Sequence, residues 1–198
     1  MNTVIHLIRH GEVANPLGIR YGRRTGYRLS PRGEAQAHAA AAHLRPIARS
    51  IAAIVSSPLE RTKQTAIIIQ IVLELMNITF DDRVIEATSR FDGASKIAPL
   101  YPWNWRHLLD PFTPSWAEPF AAVGRRMHSA VTDLARRYAG KHVLLVSHQS
   151  PIWIARQSFK PRLGPPWLQP VRCAHASITS IELANERYVG QRYWAPPI

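Results

Sequence analysis

The chain has 198 residues, 46% hydrophobic and 19% charged, which is enough for one domain with a full core and excludes a disordered polymer. Its formal net charge of +12 favours anionic partners such as phosphorylated metabolites, nucleic acid or anionic surfaces. The arginines that dominate this charge are scattered, with no basic run of the kind that marks a nucleic-acid tail, and a general preference for arginine on solvated faces is the competing explanation.

The first predicted element is Val4-Ile5-His6-Leu7-Ile8, a short buried strand. No charged segment and cleavage site frame it as an export signal. Arg9, His10 and Gly11 stand where this strand ends. Ligands in open α/β sheets bind outside the carboxyl ends of strands, so these residues are placed for chemistry. Tyr21, Gly22, Arg23 and Arg24 follow in the loop, as a pocket mouth or as a solvated turn. Ser30-Pro31 opens an alanine-rich helix that reaches Leu44.

Ile51 to Val55 is a second buried strand. Ser57, Pro58 and Glu60 then read as a cap, first helical position and capping box. That helix is expected to run to about Met76, with a buried apolar middle and Arg61 one turn inside. Its apolar stretch, Ala66 to Met76, is broken by Gln70 and Glu74 and is too short to span a bilayer. Val84 to Ala87 is a fourth short strand candidate, ending at Glu86.

Residues 95–119 carry five prolines and three tryptophans with little period, and suggest a long excursion or lid on a single domain spanning 1–198. A helix is expected from Ser115 to about Tyr138, since Phe120, Val123, Met127, Val131 and Leu134 recur at helical spacing. His142 to Val146 is a third buried strand, with His148 at its end and a helix opening at Ser150-Pro151. The single cysteine, Cys173, excludes an internal disulfide and points to a reduced, cytoplasmic compartment. Residues 176–194 alternate as a hairpin at the sheet edge. Together these elements predict a three-layer α/β/α fold with a mostly parallel central sheet and an antiparallel edge strand.

Two histidines and two arginines at converging strand ends suit a phosphoryl group. Arginine forks match phosphate oxygens, and a neutral imidazole can attack phosphorus and form a covalent intermediate. Arg9, Arg61 and a protonated His148 would stabilise the transferring group, with no need of a metal. Glu86, near a phosphate and partly dry, would have a raised pKa and serve as the general acid, with Asp81, Asp82 and Asp92 as competitors. Trp103, Trp105 and Trp116 read first as packing within the lid; if the substrate carries a ring, Trp103, Trp105 and Arg106 would meet it, and Tyr21 and Arg23 are the other substrate-pocket candidates. His175 precedes the last strand pair and is the one other histidine placed to reach the site.

Four blocks carry a resemblance. Arg9-His10-Gly11, the run from Leu29 to Ala37, the run from Ser56 to Ala66 and Val146-Ser147-His148 are similar, in this order, to the histidine phosphatase superfamily in its phosphoglycerate-mutase-like branch. The resemblance implies a phosphohistidine at His10, a phosphate pocket of Arg9, Arg61 and His148, and an acid at Glu86. Two positions depart from the pattern. Gln149 replaces the glycine that often follows the second histidine and would narrow the pocket or bond the phosphate. Asn15 takes a less regular position than the family's phosphate-contacting asparagine. The expected activity is a metal-independent phosphomonoesterase acting on a small phosphorylated metabolite, without a cofactor. A phosphomutase and a non-catalytic phosphate- or RNA-binding module are the alternatives. No membrane partner is expected, a nucleic-acid partner is disfavoured, and a homodimer is left open.

Overall fold

A computed structural model of the chain describes residues 2–95, 97–98, 101, 117–159 and 171–197. Trp103, Trp105, Arg106 and most of the 95–119 excursion lie outside the described residues. Six strands form one sheet: β1 (Asn2–Arg9), β2 (Ile51–Ser56), β3 (Ile78–Phe80), β4 (His142–Ser147), β5 (Ile178–Ala184) and β6 (Arg187–Trp194). Their spatial order is β3-β2-β4-β1-β5-β6. The first four are mutually parallel, and β5 and β6 complete the sheet in antiparallel fashion.

Helices cover both faces. α1 (Pro31–Leu44) and α2 (Glu60–Leu73) pack on one, α3 (Phe120–Arg137) and α4 (Gln149–Phe159) on the other. Strand alternation sorts the core between them. Ile5, Leu7, Val143 and Leu145 meet Met127 and Ile152, while Ile8, Leu144 and Val146 meet Ala40, Ala41 and Ile69. The described helices include none long and apolar enough to cross a membrane.

Three expectations are corrected. Val84 to Ala87 is not a strand: Asp82–Val84 is a 3-10 turn, whose backbone Asp81 caps through Arg83 N–H, and the fourth parallel strand is β3 instead. α2 begins at Glu60 with no side-chain cap, so Ser57 is free of that task, and it stops at Leu73, three residues short of Met76. Of its apolar residues, Ala66, Ile69 and Leu73 are buried, while Ile67 and Ile71 are exposed. α3 starts at Phe120 rather than Ser115, which lies outside the described residues.

Ser30 caps α1 as its sequence implies, accepting from Gly33 N–H at 3.1 Å. This cap brings the helix start against the loop that follows β1. A Cβ on Gly11 would lie 2.3 Å from the Gly33 carbonyl oxygen, and one on Gly33 would lie 2.0 Å from that of Glu12. Only glycine permits this backbone approach, which sets the path of the chain next to His10.

On the α1 face of β1, His6 is held between Ser180 Oγ and His142 Nδ1, both at 2.8 Å. Burial, with the nearby charges of His142, Arg192 and His43, lowers its pKa from 6.5 to about 3. A histidine kept neutral by folding stabilises the fold fully above its unfolded pKa. That contribution is lost as pH falls through the window from 6.5 toward 3. Between pH 7 and pH 5, His6 alone should cost about 2 kcal/mol of stability. Urea unfolding of the wild type and His6→Gln at both pH values checks this: the acid-induced loss should be smaller in the variant by about that amount. Equal losses would show that His6 is not the acid-sensitive group.

Candidate active site

The sheet register assembles the site. Arg9 pairs with Ser147 at the level ends of β1 and β4, so the next residues, His10 and His148, emerge side by side. Their rings are 5.3 Å apart between centroids, and the backbone N–H of His10 donates to the Ser147 carbonyl at 3.1 Å. Ser57, just past the end of β2, donates its N–H to the Val146 carbonyl and so joins the same row.

His10 Nδ1 lies 2.7 Å from the Gly11 carbonyl oxygen. A carbonyl only accepts, so Nδ1 carries the proton and Nε2 keeps its lone pair. Burial, with Arg61 and Arg9 close by, holds the His10 pKa well below 6.5, against a raising contribution from the Gly11 hydrogen bond. His10 is therefore a neutral imidazole with Nε2 available at neutral pH.

His148 is fully buried, with Nε2 2.8 Å from Ser57 Oγ. Burial comes first, and His10, Arg61 and Arg9 add to it, in holding its pKa well below the usual histidine value. Without a bound anion the ring is therefore neutral at neutral pH; the imidazolium was expected for the transferring phosphoryl group. Ser57, read from sequence as a helix cap, is its hydrogen-bond partner.

Arg61 is 1% exposed. Its Nη2 and Nη1 donate to the carbonyls of Gly22 and Arg24, and its guanidinium carbon lies 4.9 Å from the centre of the Tyr21 ring. Arg9 donates to the Cys173 carbonyl at 2.6 Å and meets His175 Nε2 at 3.0 Å. His175 in turn stands 5.9 Å from the His10 ring, so the histidine noted as within reach is at the site. Arg9 Nε, Arg61 Nε and His148 Nδ1 are buried with no hydrogen-bond partner among the described residues.

A cavity of about 990 Å³ opens over these groups. Arg9, His10, Asn15, Tyr21, Glu86, Gln149 and His175 line it, while Arg61 and His148 are not on its wall. Burial pushes the Glu86 carboxyl up, and the Ala87 N–H, Arg61, Arg9 and Ser150 pull partly against that. Asn15 spends its side chain on its own loop, bonding Ile19 through both amide atoms. Gln149 is the first residue of α4, at the cavity wall. Arg23 is brought elsewhere than expected. It is not on the wall, and its guanidinium donates to the Glu86 carbonyl and pairs with Glu118. Glu118, Arg126 and Thr65, whose Oγ1 accepts from Gly11 N–H, were not indicated by the sequence.

A parallel sheet whose strand ends present this histidine and arginine set defines a phosphoryl-transfer class, and residues 5–195 match the profile of the histidine phosphatase superfamily (branch 1), to which the chain belongs. It is an enzyme of the phosphatase type. An uncharacterised protein of Mycobacterium tuberculosis, Rv0525, is 41% identical, the match covering 98% of this chain and 96% of that one. The phosphatase PhoE of Bacillus subtilis, itself uncharacterised, is 30% identical, with 94% and 91% covered. The solved structure of a mycobacterial glucosyl-3-phosphoglycerate phosphatase in complex with VO3 superposes with a TM-score of 0.76 at 25% identity, covering 97% of this chain and 98% of that one.

Proposed function

We propose that the chain, acting as one domain, is a metal-independent phosphomonoesterase that works through a phosphohistidine at His10 on a small phosphorylated substrate. The observation that carries this is the His10 tautomer: a neutral ring, with Nδ1 tied to Gly11 and Nε2 unprotonated, beside two arginines. The protein in the VO3 complex is named as a phosphatase of glucosyl-3-phosphoglycerate, which supports a small phosphorylated substrate here.

In the first step the bond from His10 Nε2 to phosphorus forms as the bond from phosphorus to the leaving oxygen breaks. Glu86, its pKa raised by burial, gives that oxygen its proton. In the second step water attacks phosphorus, Glu86 takes a proton from it, and His10 is released with inorganic phosphate. Arg9, Arg61 and His148 hold the equatorial oxygens. Ser57 Oγ–H donating to His148 Nε2 would leave Nδ1–H to serve the phosphate, and Arg9 Nε and Arg61 Nε are two further donors with no hydrogen bond among the described residues. Asn15, Gln149, Tyr21 and His175 shape the wall around the substrate.

The test is phosphate release from p-nitrophenyl phosphate and a panel of metabolite phosphates in excess EDTA. Undiminished turnover is expected. Activity lost to the chelator and restored by a divalent cation would refute the metal-independent route. Isomerised phosphate ester without free phosphate would favour the mutase.

A further inference from the structure

Glu86 sits on neither a strand nor a helix, so the carbonyls of its loop need partners from elsewhere. They have them. Ser147 Oγ donates to the Val84 carbonyl at 2.6 Å, at the end of β4. Arg126 Nη1 donates to the carbonyls of Arg83 and Ile85, both at 2.6 Å. Arg23 Nε donates to the carbonyl of Glu86 itself at 2.6 Å. The N–H of Glu118 donates to the Thr88 carbonyl at 3.0 Å.

The two arginines come from distant parts of the chain and share one carboxylate. Glu118 Oε1 accepts from Arg126 Nε at 2.9 Å, and Oε2 accepts from Arg126 Nη2 and Arg23 Nη2, both at 3.0 Å. Arg126 and Glu118 are largely buried, with side chains 16% and 17% exposed. Burial alone would raise the Glu118 pKa, but the hydrogen bonds and charges of Arg126 and Arg23 outweigh it and hold the carboxyl below its usual range. Glu118 therefore stays ionised at neutral pH and keeps both arginines oriented. Each planar guanidinium then has its remaining N–H groups aimed at the backbone around Glu86.

We propose that Arg23, Glu118 and Arg126 form a clamp that fixes the backbone from Arg83 to Thr88 and so positions the Glu86 carboxyl against the leaving-group oxygen. The three are positioning residues, and the proposal rests on Glu86 being the proton donor. Proton transfer needs the donor within hydrogen-bond reach, and a shift of about 1 Å costs on the order of a hundredfold. Arg126 lies on α3 and is not part of the cavity wall, so its hydrogen bonds reach the reaction through this backbone; its charge also helps to lower the His148 pKa, an effect that bears on both leaving groups alike.

Leaving groups separate this role from a general structural one. A nitrophenolate departs without a proton, whereas an alkoxide does not. kcat/KM is to be measured for p-nitrophenyl phosphate and for glycerol 2-phosphate in the wild type, Arg126→Gln and Glu86→Gln. Arg126→Gln should lose at least tenfold on the alkyl ester and less than about threefold on the aryl ester, repeating in weaker form the selective loss in Glu86→Gln. Arg23→Gln, whose side chain is also off the cavity wall and loses the bond to the Glu86 carbonyl, carries the same test if Arg126→Gln does not fold. Equal losses on both esters, or none, beside a selective Glu86→Gln would overturn the clamp and leave the acid assignment standing. No selectivity in Glu86→Gln itself would overturn the acid assignment and the clamp with it.

Discussion

Replacing His10 with alanine is expected to reduce kcat by a factor on the order of 10⁴ or more, the scale seen when a covalent nucleophile is removed. The variant should still bind inorganic phosphate within about tenfold of the wild type, because charge-assisted hydrogen bonds from arginine carry most of that affinity. Arg9 is tied to Cys173 and His175, and Arg61 to Gly22 and Arg24, so neither depends on the His10 ring for its place. The fold should also hold. Nδ1 of His10 bonds only its neighbour Gly11, while the chain there is anchored by backbone bonds to Ser147 and Ala176. Loss of turnover with binding retained separates a nucleophile from a binding residue. An equal loss of both would assign His10 to binding alone, and unchanged turnover would remove it from the chemistry.

Arg61→Ala should have the second largest effect, a fall in kcat/KM of roughly 10²- to 10³-fold, as when a fixed donor to a developing charge is lost. Two contributions combine. The transferring phosphoryl group loses a buried cation, and the carbonyls of Gly22 and Arg24 lose the donors that fix the Tyr21 turn at the cavity wall. The second should also lower stability by about 1–3 kcal/mol. Arg61→Lys keeps the charge but not the fork, so it should recover little of the rate. Steady-state kinetics with urea unfolding on the same samples checks both contributions. Full activity in Arg61→Lys would show that charge alone is required there, and full activity in Arg61→Ala would remove Arg61 from the phosphate site.

The parallel core was legible because buried strands write themselves as unbroken apolar runs: Val4 to Ile8, Ile51 to Val55 and His142 to Val146 all fall within strands. The placing of His10 and His148 side by side was legible for the same reason, since the residues after such a run stand at a strand end. β3 was not, because three half-exposed residues, Ile78 to Phe80, carry no pattern. The apolar pair Val84-Ile85 belongs to a turn that packs Val84 into the core, which looks like a strand when read locally. Ser57 has a capping sequence yet serves His148, a partner 91 residues away. The same limit hid the clamp. Arg23 and Glu118 are 95 residues apart, and nothing local marks either of them as belonging to the loop of Glu86. Side chains that meet only through the fold leave no periodicity to read.

The central claim is a covalent bond between His10 and phosphorus, and a rapid quench of the wild type turning over a phosphate-labelled substrate tests it most directly. The quenched protein is to be kept alkaline, digested, and the labelled peptide sequenced by mass spectrometry. The account predicts an acid-labile, base-stable phosphoryl group on His10 that forms and decays at rates able to support turnover, and that is absent from His10→Ala. Steady phosphate release with no phosphoprotein at any quench time, or label on another residue, would contradict it.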